Sequence, residues 1–224
     1  MFRWVRALVF GPGWQVAEQA IAQPRQPLAL PTEIDVEGAP VILRYLAPDD
    51  APALLMFARA LPPGDLLFLR RDITDPVQID AWLDDVRRGL VTTVVAVSGS
   101  VIVGYATVTS DGLAWTRHVR ELRVLVSASM RGKHLGRLLI EQAFAIAKEQ
   151  GARKMIAQMT VDQESAVRIF ETLGFEQEAR LHNQVVDREG AFHDLQIMSL
   201  DIEDFEAKLV AMELRAQAAL VGPS

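Results

Sequence analysis

Met130-Arg131-Gly132-Lys133-His134-Leu135-Gly136-Arg137 joins a strand-like run, Glu121-Leu122-Arg123-Val124-Leu125-Val126, to a helix-like stretch beginning near His134. Strand, basic glycine-bearing loop and helix together make an anion site. The first N–H groups of a helix have no partner within it, and the aligned peptide dipoles concentrate partial positive charge there. Gly132 and Gly136 allow close backbone approach, while Arg131, Lys133 and Arg137 add charge. Basic residues in a first helical turn oppose the helix dipole, so this pattern makes sense against a bound polyphosphate. His134 falls where the turn into the helix calls for positive φ, which costs a non-glycine residue about 1 kcal/mol or more. A phosphate-contacting and a solvent-facing His134 both remain open. No spaced partner ligands make it a metal ligand.

Downstream lies Asp162-Gln163-Glu164-Ser165-Ala166-Val167-Arg168-Ile169-Phe170-Glu171-Thr172-Leu173-Gly174-Phe175. The first stretch resembles motif A of the GNAT superfamily of acyl-CoA N-acyltransferases, Arg/Gln-x-x-Gly-x-Gly/Ala, with Arg131 and Gly136 at its ends and His134 in place of the inner glycine. The second resembles the family's Asn-x-x-Ala-x-x-x-Tyr-x-x-x-Gly-Phe landmark. The resemblance runs from about Val41 to about Leu200. It implies an α/β fold with a central, mostly antiparallel twisted sheet of about seven strands, flanked by helices and splayed at the strand before the phosphate loop. It also implies acetyl-CoA as co-substrate, with pyrophosphate on the N–H groups of Gly132, Lys133, His134, Leu135, Gly136 and Arg137. The pantetheine would pair along Val124, Leu125 and Val126, on a strand that is bulged in this family, and would meet Gln163. Phe170 stands where many relatives have a tyrosine that protonates the leaving thiolate; Phe170 has no hydroxyl, and Tyr45 and Tyr105, the only tyrosines, do not align with the motif.

The implied reaction is direct attack of a primary amine on the thioester. It needs no covalent intermediate, in keeping with a chain that has no cysteine. An alkyl ammonium is neutral in only about one molecule in a few thousand at pH 7, so a base is required. Glu121 is the first candidate and His118 the second, both at the start of the strand leading to the cofactor. A solvated carboxylate at a strand end is the plainer reading of Glu121. A catalytically silent acyl-CoA-binding sensor is the alternative function, suggested by the missing tyrosine. A P-loop is excluded by the absence of Gly-Lys-Ser/Thr.

At 224 residues, half of them apolar, the chain suits one core with extensions. Net charge −6 disfavours nonspecific nucleic-acid binding and mildly favours cationic substrates. No apolar run is long enough for a membrane span, and a cytoplasmic location is expected. Met1 to Phe10 joins charge to apolar residues but stops at Gly11-Pro12-Gly13, and reads as a docking helix or tail more readily than as a signal peptide. Pro24, Pro27 and Pro31 make residues 1–39 an arm and linker, residues 40–200 the acetyltransferase domain, and residues 201–224 a tail whose Phe205, Leu209 and Met212 form an amphipathic helix. That tail is a candidate homodimer surface. The acceptor, a small molecule or a protein amine, is expected to be selected by residues 55–73 and 181–193. His182 and His193 are expected on facing strands of a last hairpin.

Overall fold

The computed structural model describes residues 28–207 except Phe68 and Arg188. The described residues form an eight-stranded sheet with helices on both faces. In chain order the strands are β1 (Thr32–Val36), β2 (Ala39–Tyr45), β3 (Val91–Ser98), β4 (Val101–Thr109), β5 (Val119–Val126), β6 (Lys154–Thr160), β7 (Glu176–Val186) and β8 (Phe192–Asp201). The helices are α1 (Ala51–Arg59), the single turn α2 (Pro63–Leu66), α3 (Pro76–Arg87), α4 (Leu135–Glu149) and α5 (Glu164–Thr172). The spatial order is β1-β2-β3-β4-β5-β6-β8-β7, and only β5 and β6 pair in parallel. The expected mostly antiparallel sheet is present, and the strand beyond the expected seven is β1, which lies within the stretch expected as linker. It pairs with β2 from Thr32↔Leu43 to Val36↔Ala39 and buries Val36. Pro31 stands just before β1, where a proline removes no N–H from the ladder.

Helix α3 follows from local chemistry. The Asp75 carboxylate accepts from Val77 N at 2.9 Å, Pro76 occupies the first turn, and Ile79, Trp82 and Leu83 are buried at helical spacing. Buried Trp82 donates its indole N–H to Thr93 Oγ1 at 3.1 Å, joining α3 to β3. Helices α1 and α3 cover one sheet face and α4 and α5 the other. The alternation of β5 divides its side chains between them: Leu122, Val124 and Val126 turn towards α4, and Glu121, Arg123 and Leu125 towards α1 and α3.

In α5, Phe170 is buried edge-on against Phe175, with centroids 4.9 Å apart, whereas Ile169 is exposed. Gly174 ends the helix at φ +89°, and a Cβ there would stand 2.6 Å from the ring of Phe205. The Gly174-Phe175 pair is therefore a packing device as well as a helix stop. Ile202 and Phe205 are buried, so the beginning of the expected tail belongs to the core; Leu209 and Met212 lie outside the described residues.

His182 and His193 do not face each other. A register shift between Leu181 and Val185 puts His193 opposite Val185. At that shift Asn183 takes φ 52°, and Asp194 accepts from Asn183 N at 2.9 Å, Arg180 Nε at 2.8 Å and His182 Nδ1 at 3.0 Å. The backbone N–H of Asn183, with Arg180, holds the Asp194 carboxyl down at about 2. His193 bridges two carboxylates, Nε2 to Asp187 at 2.8 Å and Nδ1 to Asp162 at 2.9 Å, and both hydrogen bonds raise its pKa, that to Asp187 more.

Gly174→Ala should destabilise the protein by about 1–3 kcal/mol, read from the urea midpoint, because the new methyl must displace Phe205 from a positive-φ position. An unchanged midpoint would show that the ring is not held there. NMR titration of His193 should give a midpoint above 6.5 that Asp187→Asn moves down. Since the folded pKa is the higher one, the stabilisation is complete below pH 6.5 and disappears as pH rises through the folded midpoint. A wild-type midpoint at or below 6.5 would contradict the bridge.

Candidate functional site

The site begins where β5 and β6 part. They pair at Val119↔Lys154, Arg120↔Met155 and Glu121↔Ile156, and no pairing follows. On its other side β5 stays paired with β4 as far as Gly104↔Val126, and Ser127 N still donates to Val103 O at 2.9 Å. From residue 122 onward one edge of β5 is open, which is the splay expected at this strand. The expected bulge is not seen in the β4–β5 pairing, whose register is continuous. The opening arises from divergence of β6 alone. Val124, Leu125 and Val126 are half-buried along this edge, so their backbone groups can pair with an extended amide chain.

Beyond β5, a 3-10 turn at Ala128–Met130 leads into the glycine loop, and Met130 is buried as its plug. Gly132 has φ +73° with open space around it, and His134 takes φ 62° as the residue before α4. No side chain caps that helix and its first turn has no acid. The N–H groups of Leu135, Gly136 and Arg137 therefore have no helical acceptor and face the mouth of the splay. This cradle fits a pyrophosphate, and the open β5 edge fits the amide arm that follows it in CoA.

The basic side chains are differently disposed. Arg131 is exposed and ion-paired with Asp65 of α2. Arg137 donates from Nε to Glu141 at 2.8 Å along α4. Lys133 is half-buried and makes no ion pair among the described residues. His134 is exposed. Gln163 closes the turn between β6 and α5, its Oε1 accepting from Thr160 N at 3.1 Å, with its amide nitrogen left to donate.

Glu121 occupies the last position of β5 that pairs with β6 and is only 8 % exposed. Arg70 Nη2 lies 2.5 Å from its Oε2 and Arg123 Nη2 lies 3.2 Å from its Oε1. His118 precedes the strand and is exposed, and its carbonyl accepts from Arg153 N at 2.8 Å and Lys154 N at 3.1 Å. Next to Glu121 a cavity opens on the α1/α3 side, with Trp82 and Tyr105 in its lining and Arg70, Arg71, Arg123 and Thr107 around it. Burial pushes the Tyr105 hydroxyl up to about 12, so it remains neutral at pH 7. Arg70 and Arg71 fall within the stretch 55–73 expected to select the acceptor, whereas the sequence did not mark Trp82, Tyr105, Thr107 and Arg123. The signal available was the alternation of Tyr105, Thr107 and Thr109 in one strand and the adjacent Arg70-Arg71, which meet only through the register Thr107↔Arg123.

A model of the acetyltransferase (GNAT) family matches residues 60–175. No curated protein sequence matches the chain. Among solved structures, yncA of Salmonella typhimurium with its cofactor acetyl-CoA is 23% identical, with 72% of this chain and 94% of that one covered and a TM-score of 0.65. The ribosomal-protein-alanine N-acetyltransferase of Brucella melitensis is 25% identical, covering 71% and 99% at a TM-score of 0.64. The spermidine N-acetyltransferase of Vibrio cholerae, in complex with CoA and spermine, is 15% identical, covering 74% and 97% at 0.63. These likenesses carry the fold. The family match spans more than half of the sequence and takes in the cavity, the splayed strand, the glycine loop and Gly174-Phe175, and the chain belongs to the GNAT family of acetyltransferases.

Proposed function

We propose that the protein is an N-acetyltransferase that moves acetyl from acetyl-CoA to a primary amine by direct attack. The observation that carries this is the parting of β5 from β6 immediately beside an uncapped helix start. When bound, acetyl-CoA supplies an activated acetyl thioester. Gly132, Lys133, His134, Leu135, Gly136 and Arg137 hold its pyrophosphate, with Arg131 adding charge, and Val124, Leu125 and Val126 with Gln163 hold the pantetheine. Phe170 supports this wall from the core. A backbone N–H of the open β5 edge near Val126 supplies the donor for charge developing on the carbonyl oxygen.

Glu121 serves as the base that takes the ammonium proton, directly or through water, because it sits at the vertex of the splay and beside the acceptor cavity. His118 is the second candidate, placed on the exposed loop before the same strand. The buried Phe170 favours the second reading, a catalytically silent acyl-CoA sensor, since it has no proton for the leaving thiolate.

Titration calorimetry with acetyl-CoA, CoA and ATP, followed by thiol-release assays over an amine panel, separates the readings. Binding with CoA release supports the transferase, binding without release on any amine supports the sensor, and no binding overturns both. Arg131→Ala should weaken CoA binding about five- to tenfold by calorimetry, and unchanged affinity would remove Arg131 from the phosphate site. Glu121→Gln should lower kcat about a hundredfold or more at unchanged CoA affinity, and a full-rate variant would exclude it as the base.

A further inference from the structure

Each oxygen of the Glu121 carboxylate meets an arginine. Arg70 Nη2 lies 2.5 Å from Oε2, and Arg123 Nη2 lies 3.2 Å from Oε1. The adjoining cavity is lined by Arg70 and Arg123, and Glu121 is not among its lining residues. The two guanidinium groups therefore stand between the carboxylate and the open space, and an ammonium reaches the carboxylate only if one of them withdraws. They are held very differently. Arg123 lies on β5 two residues beyond Glu121, so both side chains leave the strand on one face; it faces Thr107 of β4, and its side chain is 20 % exposed. Arg70 lies outside any helix or strand, in the stretch between α2 and α3, and its side chain is 58 % exposed.

We infer, on the transferase reading above, that Arg70 holds the place of the acceptor's ammonium in the free protein and is displaced by it. Withdrawal of Arg70 alone would leave a buried carboxylate short of one cation, which is unfavourable unless another arrives. A protonated primary amine restores that charge and donates to Oε2, whereas a neutral molecule of the same shape does not. The exchange is cation for cation, so the acceptor enters in its ammonium form. Arg123 stays on Oε1 and keeps Oε2 turned towards the newcomer. Trp82 and the ring of Tyr105, in the same cavity, offer aromatic surface to the carbon chain behind the ammonium. Arg70 is then a competitor carried by the chain itself, and its pairing lowers the apparent affinity for amines to the extent that it occupies Glu121.

The test uses the full-length, CoA-bound protein and n-propylammonium chloride as probe. Binding is followed by the NMR shift of the Trp82 indole N–H, which donates to Thr93 at the cavity wall. Arg70→Gln should lower the half-saturating concentration about fivefold or more, and Arg70→Lys, which restores a cation, should return it towards the wild-type value. Glu121→Gln should abolish the shift, and 1-propanol, the neutral analogue, should gain nothing from Arg70→Gln. Binding no tighter in Arg70→Gln than in the wild type, or equally tight in Arg70→Lys, overturns the inference. So does a shift retained in Glu121→Gln, an equal gain for 1-propanol, or no shift in any of the proteins. Should Arg70→Gln fail to fold, Arg70→Met is compared with Arg70→Lys in the same way. With any amine that releases CoA, KM should fall in Arg70→Gln by a similar factor, and an unchanged or raised KM overturns the inference while leaving the transferase intact. If no amine releases CoA, the transferase reading fails separately, and the probe titration alone judges Arg70.

Discussion

Everything at the site depends on one broken pairing. β5 is held on one side by β4 along its whole length, and on the other by β6 only as far as Glu121. A strand inside a sheet normally satisfies both edges, so residues 122–126 carry backbone groups that water or a ligand must satisfy. The divergence is sustained by packing. α4 lies across β4 and β5 with Leu135 and Leu139 fully buried, whereas β6 is drawn to β8 by pairing from Lys154↔Asp201 to Thr160↔Leu195. Gly104 lets this happen: a Cβ there would stand 3.0 Å from Leu125 O and 3.2 Å from Leu139, so β4, β5 and α4 approach closely only around glycine. The same helix that wedges the sheet opens its N-terminus at the mouth of the wedge.

Local chemistry made the phosphate loop and most elements legible. Glycines at 132 and 136, basic residues between them and a strand before them encode a strand, a turn and an uncapped helix within about twenty residues. Asp75-Pro76 marks α3 and Gly174 ends α5 for similarly local reasons. β1 escaped because its evidence is non-local: Ile34 and Val36 become strand residues by pairing with β2, while the nearby prolines point to a linker. Along α5, Ile169 is exposed while Phe170 is buried, so the apolar face is narrower than the run of apolar residues. His193 could not be paired correctly from sequence, because the shift around Asn183 changes every facing residue beyond it.

The cavity beside Glu121 was legible only in part: Leu69, Arg70, Arg71 and Ile73 of its lining lie in the stretch 55–73 expected to select the acceptor, and the rest lie elsewhere. Its residues come from the segment before α3, from α3 itself, from the start of β3, from alternate positions of β4 and from Arg123 of β5, and no short window of sequence contains them together. A sum over the chain averages exposed acids such as those on β7 with arginines gathered around one cavity, and recognition depends on the local field at the site.

The stretch between α1 and α3 gives the two halves of the site a common support. Asp65 in α2 pairs with Arg131 of the phosphate loop, and a few residues later Arg70 pairs with Glu121 at the vertex of the splay while Arg71 pairs with Asp85 of α3. A short segment thus contacts the glycine loop, Glu121 at the vertex of the splay and the wall of the cavity through charged groups. A pair that stands partly in solvent, such as Arg131–Asp65, contributes little to folding stability, at most about 1 kcal/mol, whereas the Glu121 carboxylate is buried and depends on its arginines for charge compensation. Arg131 and Arg70 each face a carboxylate of the chain. Charged side chains whose partners can be exchanged for ligand groups leave the site solvated and soluble without ligand, and complementary to anions when those arrive.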